Sequence, residues 1–494
     1  MPEQYYSTRN PHYVGGGYFD ASPTAPQSSS PNYYSVGIVQ GAPSVKETDR
    51  ELETASALSD LSDSESSNDS ALRIAVPNRP SLSTNSRVVP RVASTQLPHL
   101  SQRLTVEVMN HLLANELMGC EKKESKTLVE LIFPDSVLPV PIDEDFVTML
   151  ENFVGSNGSK IIRNGQWIGM PSLDPQTNPK ENFARWLNVL AFALGTVCKI
   201  GARKRHWTGR FSNTVIRSTH KRKPDVILLS TDHPADEGIS LKWEHVRSLV
   251  ELTSTNGSKK KILDTICNKV FICFTVQPNR RFMPALYICN GTFRFCVYDR
   301  SGGVQSIDYD LRVHHIIFIR LMVGLGFAED PIIGYDPSMT MDYSNVVYKM
   351  RLNDKEYTAI KLILASHSLR GRATHVWTVA NPTGKVCIMK DCWIAAKRNR
   401  NEVELLKELK GLNGVPQIIH GELVRLSGEI DSTAWLREGD PMNDLRYHLR
   451  IAMTPVGVAL CKFESQKELV GVFMDIIQSK SLFVSSGMNT DLSP

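Results

Sequence analysis

The sequence lacks any C-x-x-C pair or cysteine–histidine cluster, although it contains nine cysteines. This absence argues against structural zinc and predicts reduced thiols in the cytosol or the nucleus. The N-terminus has no apolar segment with a basic start. The longest apolar stretch, from Trp186 to Cys198, falls short of the roughly 20 residues that span a bilayer. We therefore predict no membrane-spanning segment.

The sequence also has little net charge, since Lys and Arg exceed Asp and Glu by only four. A balance this small identifies no partner. At 494 residues, with 41% hydrophobic and 22% charged residues, the chain is long enough for two or three globular domains.

Residues 1–100 have almost no apolar periodicity and are rich in Ser, Pro, Tyr and Gly. Such a segment cannot bury enough apolar area to offset its chain entropy, so we predict a disordered tail. Serines next to acidic residues, as in LSDLSDSESSND at 58–69, suit acid-directed kinases, but a solvated tail explains them equally well.

Residues 101–342 are predicted to form an α/β domain. Apolar residues at helical spacing predict helices in LTVEVMNHLLANEL, DEDFVTMLENFV and NFARWLNVLAFAL. The pattern then changes to short apolar runs, PDVILLS and VRSLVELTS, followed by the helix KKILDTICNKVFICFTVQ. ALYICNG and FRFCVYDRSG read as two strands joined by an Asn-Gly turn, and VHHIIFIRLMVGLGF as a closing helix.

Carboxylates in this domain follow the order found in restriction-endonuclease-like nucleases. Asp225 opens one strand, Glu251 lies in the next, and Gln277 ends the following helix. In that plan two carboxylates hold Mg²⁺ and a lysine supports the attacking hydroxide. Thr253 stands at the lysine position, and the basic residues nearest to it in sequence are Lys259, Lys260 and Lys261. The structural alternative is that Asp225 caps a strand end and Glu251 pairs with a basic neighbour such as Arg280 or Arg281.

Two basic clusters precede this core, one at residues 203–205 beside Trp207 and one at residues 221–223. Such clusters can act as nuclear import signals or contact phosphates, and both can also be solvated loops. A solvated loop is the commonest cause of such clusters, and specific nucleic-acid binding is the least favoured of these alternatives. Further on, Asp299 and the Gly302-Gly303 pair predict a tight turn without a catalytic role.

The last part, residues 346–494, has the order of parts that opens a protein kinase. LRGRATHVWTV reads as strand, turn and strand, in which Gly371 and Val376 match the middle Gly and the Val of G-x-G-x-x-G-x-V. Lys390 lies on the next apolar strand, and Glu402 begins the helix EVELLKEL. A strand lysine fixed by a helix glutamate orients ATP phosphates in kinases. Taken alone, Lys390 is equally well explained as an ordinary exposed lysine, and Glu402 as a glutamate favoured at the N-terminus of a helix.

These segments together make the chain resemble the fungal-type protein kinase family. They are KPDVILL, FICFTVQPNRRFMPALYICNG, VYDRSGG, GYDPSM, LRGRATHVW, IMKDCW and GVPQIIHGE. The resemblance implies serine/threonine phosphorylation with ATP and Mg²⁺, with Gly371, Val376, Lys390 and Glu402 binding the nucleotide. Ala373 takes the place of the family's second loop glycine and should stiffen the loop.

The family pattern next requires His-Arg-Asp-Ile-Ser and a magnesium-binding Asp, whereas this sequence closes with Asn489-Thr490-Asp491-Leu492-Ser493-Pro494. Asp491 can be laid over the catalytic Asp. We expect a chain that ends at the catalytic loop, with little kinase activity and doubtful Mg-ATP binding. A pseudokinase or non-enzymatic interaction module with protein partners is the alternative.

The fold expected is therefore α+β: a kinase-like N-lobe of five strands and one helix, preceded by the α/β domain and the tail.

Overall fold

The computed structural model describes residues 105–485 except 119–122, 156–157, 174, 201–202, 213–221, 232–240, 255–258, 343–346, 399, 413, 438–443 and 459. The described helices are α1 (Val106–Glu116), α2 (Leu128–Ile132), α3 (Glu144–Asn152), α4 (Pro179–Val197), α5 (Lys259–Val276), α6 (His315–Phe327), α7 (Glu402–Glu408) and α8 (Gln466–Ser485). None of them is long and apolar enough to cross a bilayer. The predicted N-terminal tail lies outside the described residues.

The described strands form two large sheets and two small hairpins. The strands up to residue 310 are β1 (Lys123–Ser125), β2 (Ile162–Arg163), β3 (Gln166–Trp167), β4 (Arg205–Thr208), β5 (Val226–Ser230), β6 (Val246–Thr253), β7 (Phe282–Cys289), β8 (Thr292–Asp299), β9 (Gly302–Ser306) and β10 (Tyr309–Asp310). The remaining strands are β11 (Met339–Asp342), β12 (Val347–Leu352), β13 (Lys355–Ala365), β14 (His375–Ala380), β15 (Val386–Ala395), β16 (Gln417–Leu423), β17 (Arg425–Leu426), β18 (Glu429–Ile430) and β19 (Arg446–Thr454).

The first sheet has eight strands in the order β1-β9-β8-β7-β6-β5-β4, with β10 beside β8. β6 and β7 are parallel and are connected through α5. The sheet is covered on both faces, so β5 is buried along most of its length. Leu228 packs with α2, α3, α4 and α6 on one face, whereas Ile227 and Leu229 pack with α1 and α5 on the other.

Helix and hairpin predictions in this part are confirmed. The predicted helices correspond to α1, α3, α4, α5 and α6. The Asn-Gly turn joins β7 to β8, and Asn290 and Gly291 both have positive φ, 46° and 84°. Consecutive positive φ values are typical of the two-residue hairpin turn that matches strand twist.

The second sheet is antiparallel and has seven strands, in the order β11-β12-β13-β14-β15-β19-β16. The sequence predicts five strands here, and the structure adds β11 and β12 at one edge. β11 lies before the predicted boundary at residues 342–346, yet it pairs with β12. We therefore call residues 105–338 the first segment and residues 339–485 the second segment.

Buried ion pairs join the two segments. Arg281 of the first segment contacts Asp431 of the second, with nitrogen–oxygen distances of 2.8–3.0 Å. Arg437 of the second segment makes a two-nitrogen contact, at 2.5 and 2.7 Å, with Asp299 at the end of β8. Charged groups this deeply buried require such partners. The segments therefore meet through a specific, hydrogen-bonded surface.

Candidate functional site

Strand alternation on β15 places Lys390 on the face that packs against α7. Ile388, Cys392 and Ile394 belong to the apolar cluster that includes α7, whereas Cys387 and Met389 belong to the cluster on the opposite face. Side chains two residues apart on a strand share a face. Lys390 therefore projects from the middle of an apolar stripe toward the helix.

The structure brings Lys390 and Glu402 together. The ammonium nitrogen lies 2.6 Å from both carboxylate oxygens of Glu402. The side chains keep 17% and 28% of their accessible surface. A charged pair at the edge of solvent can exchange one contact for a ligand, because neither group is sealed in the core.

Local sequence explains why Glu402 stands where it does. Asn401 caps α7 by accepting hydrogen bonds from the amides of Val403 and Glu404, and the Glu404 carboxylate accepts a hydrogen bond from the Asn401 amide. Val403 and Leu406 are buried against β15 and β19. The cap and the apolar face together fix the first turn of α7, which carries Glu402.

Val376 lies opposite Lys390 in the register of β14 and β15. Cross-strand partners project to the same face. Val376 therefore lies on the same face of the sheet as Lys390 and next to it.

Gly371 lies in the connection between β13 and β14, residues 366–374, which we call the 366–374 loop. Its φ of +126° is outside the usual range of residues with a side chain. The amide of Gly371 donates a hydrogen bond of 2.9 Å to the carbonyl of Arg300 in the first segment. The loop is thus attached to the other segment, which the sequence did not predict.

Arg372 is a site residue that sequence reasoning missed. Its guanidinium lies 3.4 Å from Glu402, so Glu402 is shared between Arg372 and Lys390. The guanidinium is 43% exposed. The only signal in the sequence was its position directly after Gly371, within the loop.

The carboxylates of the first segment also come together. Asp225 accepts a hydrogen bond of 2.9 Å from the amide of Leu252, directly after Glu251, and forms an ion pair with Lys180. Glu251 forms a buried ion pair with Lys269 of α5. Burial and the nearby Asp225 raise the pKa of Glu251 to about 7, although Lys269 acts in the opposite direction.

Glu251 has a basic partner, as expected, but the partner is Lys269 and not Arg280 or Arg281. Arg280 is fully buried and instead donates to Gln277, to the Tyr335 hydroxyl and to the carbonyls of Ile333 and Val246. Arg281 binds Asp431. Lys269 takes the place beside Glu251 because α5 crosses over β6 and turns that side chain inward.

Part of the chain matches a known protein family. Residues 223–444 match the family model described as "Fungal protein kinase". This match is consistent with a fungal-type protein kinase family. The matched stretch contains both the Lys390–Glu402 pair and the Asp225 and Glu251 carboxylates. No curated protein sequence matches the chain.

Other predicted features of the chain have a structural explanation or lie outside the described residues. Gln277 donates to the carbonyls of Trp243 and Val246. Arg205 of the first basic cluster is buried and binds Asp330 at 2.5 Å. Asp299 and Gly302 form the turn between β8 and β9, and Gly302 has a φ of +123°. Asp491 lies outside the described residues, so its predicted role stays a prediction.

Proposed function

We propose that the second segment is the nucleotide-binding half of a protein-kinase-like domain, in which Lys390 orients ATP phosphates and Glu402 fixes the lysine. The observation that carries this proposal is the double 2.6 Å contact between the two side chains. A strand lysine held by a helix glutamate is the arrangement that kinases use to position the phosphates. The family match supports the same function.

The residues present fit the phosphate groups of ATP. Lys390 offers a positive charge at the edge of solvent, and Arg372 adds a second one beside it. Gly371 gives the loop backbone a conformation that few residues with a side chain adopt. These groups would bind and orient an anionic chain of phosphates.

Mg²⁺ bound with ATP neutralises charge on the phosphate oxygens. The described residues contain no group of three or more His, Cys, Asp or Glu side chains arranged for a metal ion. The proposal therefore assigns to this part of the chain the binding and orientation of phosphates.

Titration calorimetry with ADP tests the proposal. We expect Lys390→Met to weaken ADP binding at least tenfold, because the ammonium contact is lost. Lys385→Met is the matched control, since Lys385 is exposed in the turn before β15. Equal ADP affinity of the unmodified protein and Lys390→Met would refute the role of Lys390.

Transfer of phosphate to serine or threonine is a separate part of the proposal. The expectation for this chain is little or no transfer, as for a pseudokinase or an interaction module. A radiolabelled ATP assay with a generic protein substrate measures it. Transfer that Lys390→Met abolishes would show that the chain is an active kinase.

A Mg²⁺-dependent nuclease in the first segment is the second candidate. The observation that favours it is Lys269, which supplies beside Glu251 the amine that Thr253 lacks. Strands β5 and β6 place Asp225 within hydrogen-bonding distance of the residue after Glu251. The lysine pairs are equally explained as charge compensation for buried carboxylates, so this candidate ranks below nucleotide binding.

DNA cleavage assays with and without Mg²⁺ test the nuclease. The candidate requires cleavage that depends on Mg²⁺ and is lost in Asp225→Asn. Asp354→Asn is the matched control, because Asp354 is exposed in the β12–β13 turn. Cleavage that persists in Asp225→Asn would assign the activity elsewhere.

A further inference from the structure

The first half of the 366–374 loop is embedded in the first segment. Leu369 has no accessible surface and belongs to the apolar cluster of α1, α5 and the first sheet. A fully buried leucine contributes about 1.5–3 kcal/mol relative to an exposed one. The loop is therefore attached by burial and not only by polar contacts.

Arg300 provides two backbone contacts to the same part of the loop. Its carbonyl accepts the amide of Gly371 at 2.9 Å, and its guanidinium donates to the carbonyl of Ser368 at 2.9 Å. The guanidinium itself is buried and lies 4.0 Å from the centroid of the Phe274 ring. Arg300 is thus held by the first segment and in turn holds the loop on both sides of Leu369.

Arg370 and Glu116 add a third attachment. The carboxylate of Glu116, at the end of α1, accepts the amide of Arg370 at 2.5 Å, and the Glu116 carbonyl accepts its guanidinium at 3.0 Å. Burial raises the pKa of Glu116 to about 7. Arg370 also pairs with Asp444 at 3.1 Å.

The second half of the loop is directed to the candidate site. The carbonyl of Arg372 accepts the amide of Trp393 at 2.7 Å, which fixes the backbone against β15. The side chain of Arg372 reaches Glu402, which also binds Lys390. Two cations share one carboxylate, so the cluster has an excess positive charge that suits an anion.

We propose that the first segment holds the 366–374 loop in a preformed position, in which Arg372 contacts a nucleotide phosphate beside Lys390. Arg300 and Leu369 are positioning residues in this scheme, since they act through Arg372. The ligand class is a nucleotide with a phosphate chain. The inference rests on the proposed nucleotide-binding function and adds to it a role for the first segment.

A preformed loop has a physical advantage for binding. A mobile loop loses conformational freedom when it closes on a ligand, and that loss reduces affinity. Here the loop loses its conformational freedom during folding, when Leu369 is buried, and not when the ligand binds. Release of the loop should therefore weaken binding of the phosphates and leave contacts with the nucleoside unchanged.

A double-mutant cycle on ADP affinity tests this coupling. We expect Leu369→Ala and Arg372→Ala each to weaken ADP binding about fivefold to tenfold, and the double variant to be no weaker than Arg372→Ala alone. Arg372→Lys should recover part of the loss. Adenosine affinity should be the same in all variants, because the loop contacts phosphate only.

Leu150→Ala is the matched control for loss of a buried leucine, since Leu150 is fully buried in α3, in the other apolar cluster of the first segment. It should leave the ratio of ADP to adenosine affinity unchanged. A loss of adenosine affinity in Leu369→Ala equal to its loss of ADP affinity would overturn the proposal, as would additive losses in the double variant.

Amide hydrogen exchange at Gly371 tests the attachment without any nucleotide. We expect Leu369→Ala to reduce protection of this amide at least tenfold and Leu150→Ala to preserve it. Retained protection in Leu369→Ala would overturn the attachment. If the unmodified protein binds no ADP, the proposed function and the role of Arg372 both fail. If it binds ADP through Lys390 and Leu369→Ala binds equally well, only the present inference fails.

Discussion

Each segment of the molecule contains a lysine–glutamate pair between a strand and a helix, and the two pairs differ in burial. Lys269 and Glu251 in the first segment keep 4% and 8% of their side-chain surface, whereas Lys390 and Glu402 keep 17% and 28%. Both glutamates have a lysine as their partner. The two pairs therefore differ in burial: the Lys269–Glu251 pair is enclosed by the fold, whereas the Lys390–Glu402 pair is partly exposed and accessible to a ligand.

The surroundings of the two pairs support this distinction. Glu251 lies in the middle of a sheet that is covered on both faces, between α5 and Asp225. Glu402 begins a short helix at the side of a sheet and receives a second cation, Arg372, from a loop. The same pair of residue types is thus enclosed by the fold in one place and accessible to solvent in the other.

The largest effect is expected for Lys269→Met. Removal of the ammonium would leave Glu251 buried without its charge partner, and breaking such a pair costs about 3–5 kcal/mol. Urea unfolding followed by circular dichroism measures the free energy of unfolding. The double variant Lys269→Met with Glu251→Leu should recover much of the loss, because no buried charge then remains. A change below about 1 kcal/mol in the single variant would show that this pair is not committed to the fold.

A buried histidine at the junction of the two segments should make stability depend on pH. His448 lies 3.0 Å from both Asp391 and Asp431, and its ring stacks on Trp393. Burial alone would lower the pKa of His448, but the two carboxylates raise it to about 9. The folded state therefore favours the protonated ring.

The raised pKa of His448 sets the direction in which stability changes with pH. The stabilisation is complete below pH 6.5 and is lost as the pH rises through about 9, and a shift of this size corresponds to at most about 3 kcal/mol. Unfolding measured from pH 6.5 to 9.5 should show falling stability. His448→Gln should reduce that slope, and a slope unchanged in this variant would assign the titration to other groups, such as the buried Glu116 and Glu251.

Lys390→Met should have a smaller effect on stability than Lys269→Met. Pairs near solvent contribute about 0–1 kcal/mol, because water can solvate the remaining charge. The free energy of unfolding of Lys390→Met should therefore lie within about 1 kcal/mol of that of the unmodified protein. A loss of several kcal/mol would break the distinction between the two pairs.

The smallest effect is expected for the exposed pair of Arg400 and Glu408, which are 3.1 Å apart and keep 55% and 38% of their surface. Arg400→Ala should lower the free energy of unfolding by about 0.2–0.5 kcal/mol at low salt. The difference should disappear at 1 M salt, where charges are screened within a few ångströms. A salt-independent loss would indicate packing by the arginine stem.

Local patterns in the sequence predicted elements well. Apolar spacing located α4 and α5, and the Asn-Gly pair located the turn between β7 and β8, because both signals arise from neighbouring residues. The sheet has seven strands where the sequence predicts five, because the predicted boundary at residues 342–346 separates β11 from its partner β12, although both strands alternate in sequence. β11 pairs with β12, and β12 pairs with β13.

The candidate site was predictable only in part, for a related reason. Lys390 and Glu402 are close in sequence and follow a familiar order, so their pairing could be predicted. Arg300 lies far from Gly371 along the chain, and nothing in the period or spacing of either region indicates that they meet. Lys269 was missed because a helix crossover, and not its sequence distance, turns it toward Glu251.

The burial of Leu369 has a consequence for how this chain can be divided. A cut between the segments would leave Leu369 exposed on one fragment and an apolar depression on the other. Asp431 and Asp299 would each lose an arginine from across the junction. Neither fragment should then be as soluble as the whole. The two segments should therefore be inherited together in evolution, and they should be expressed together in the laboratory.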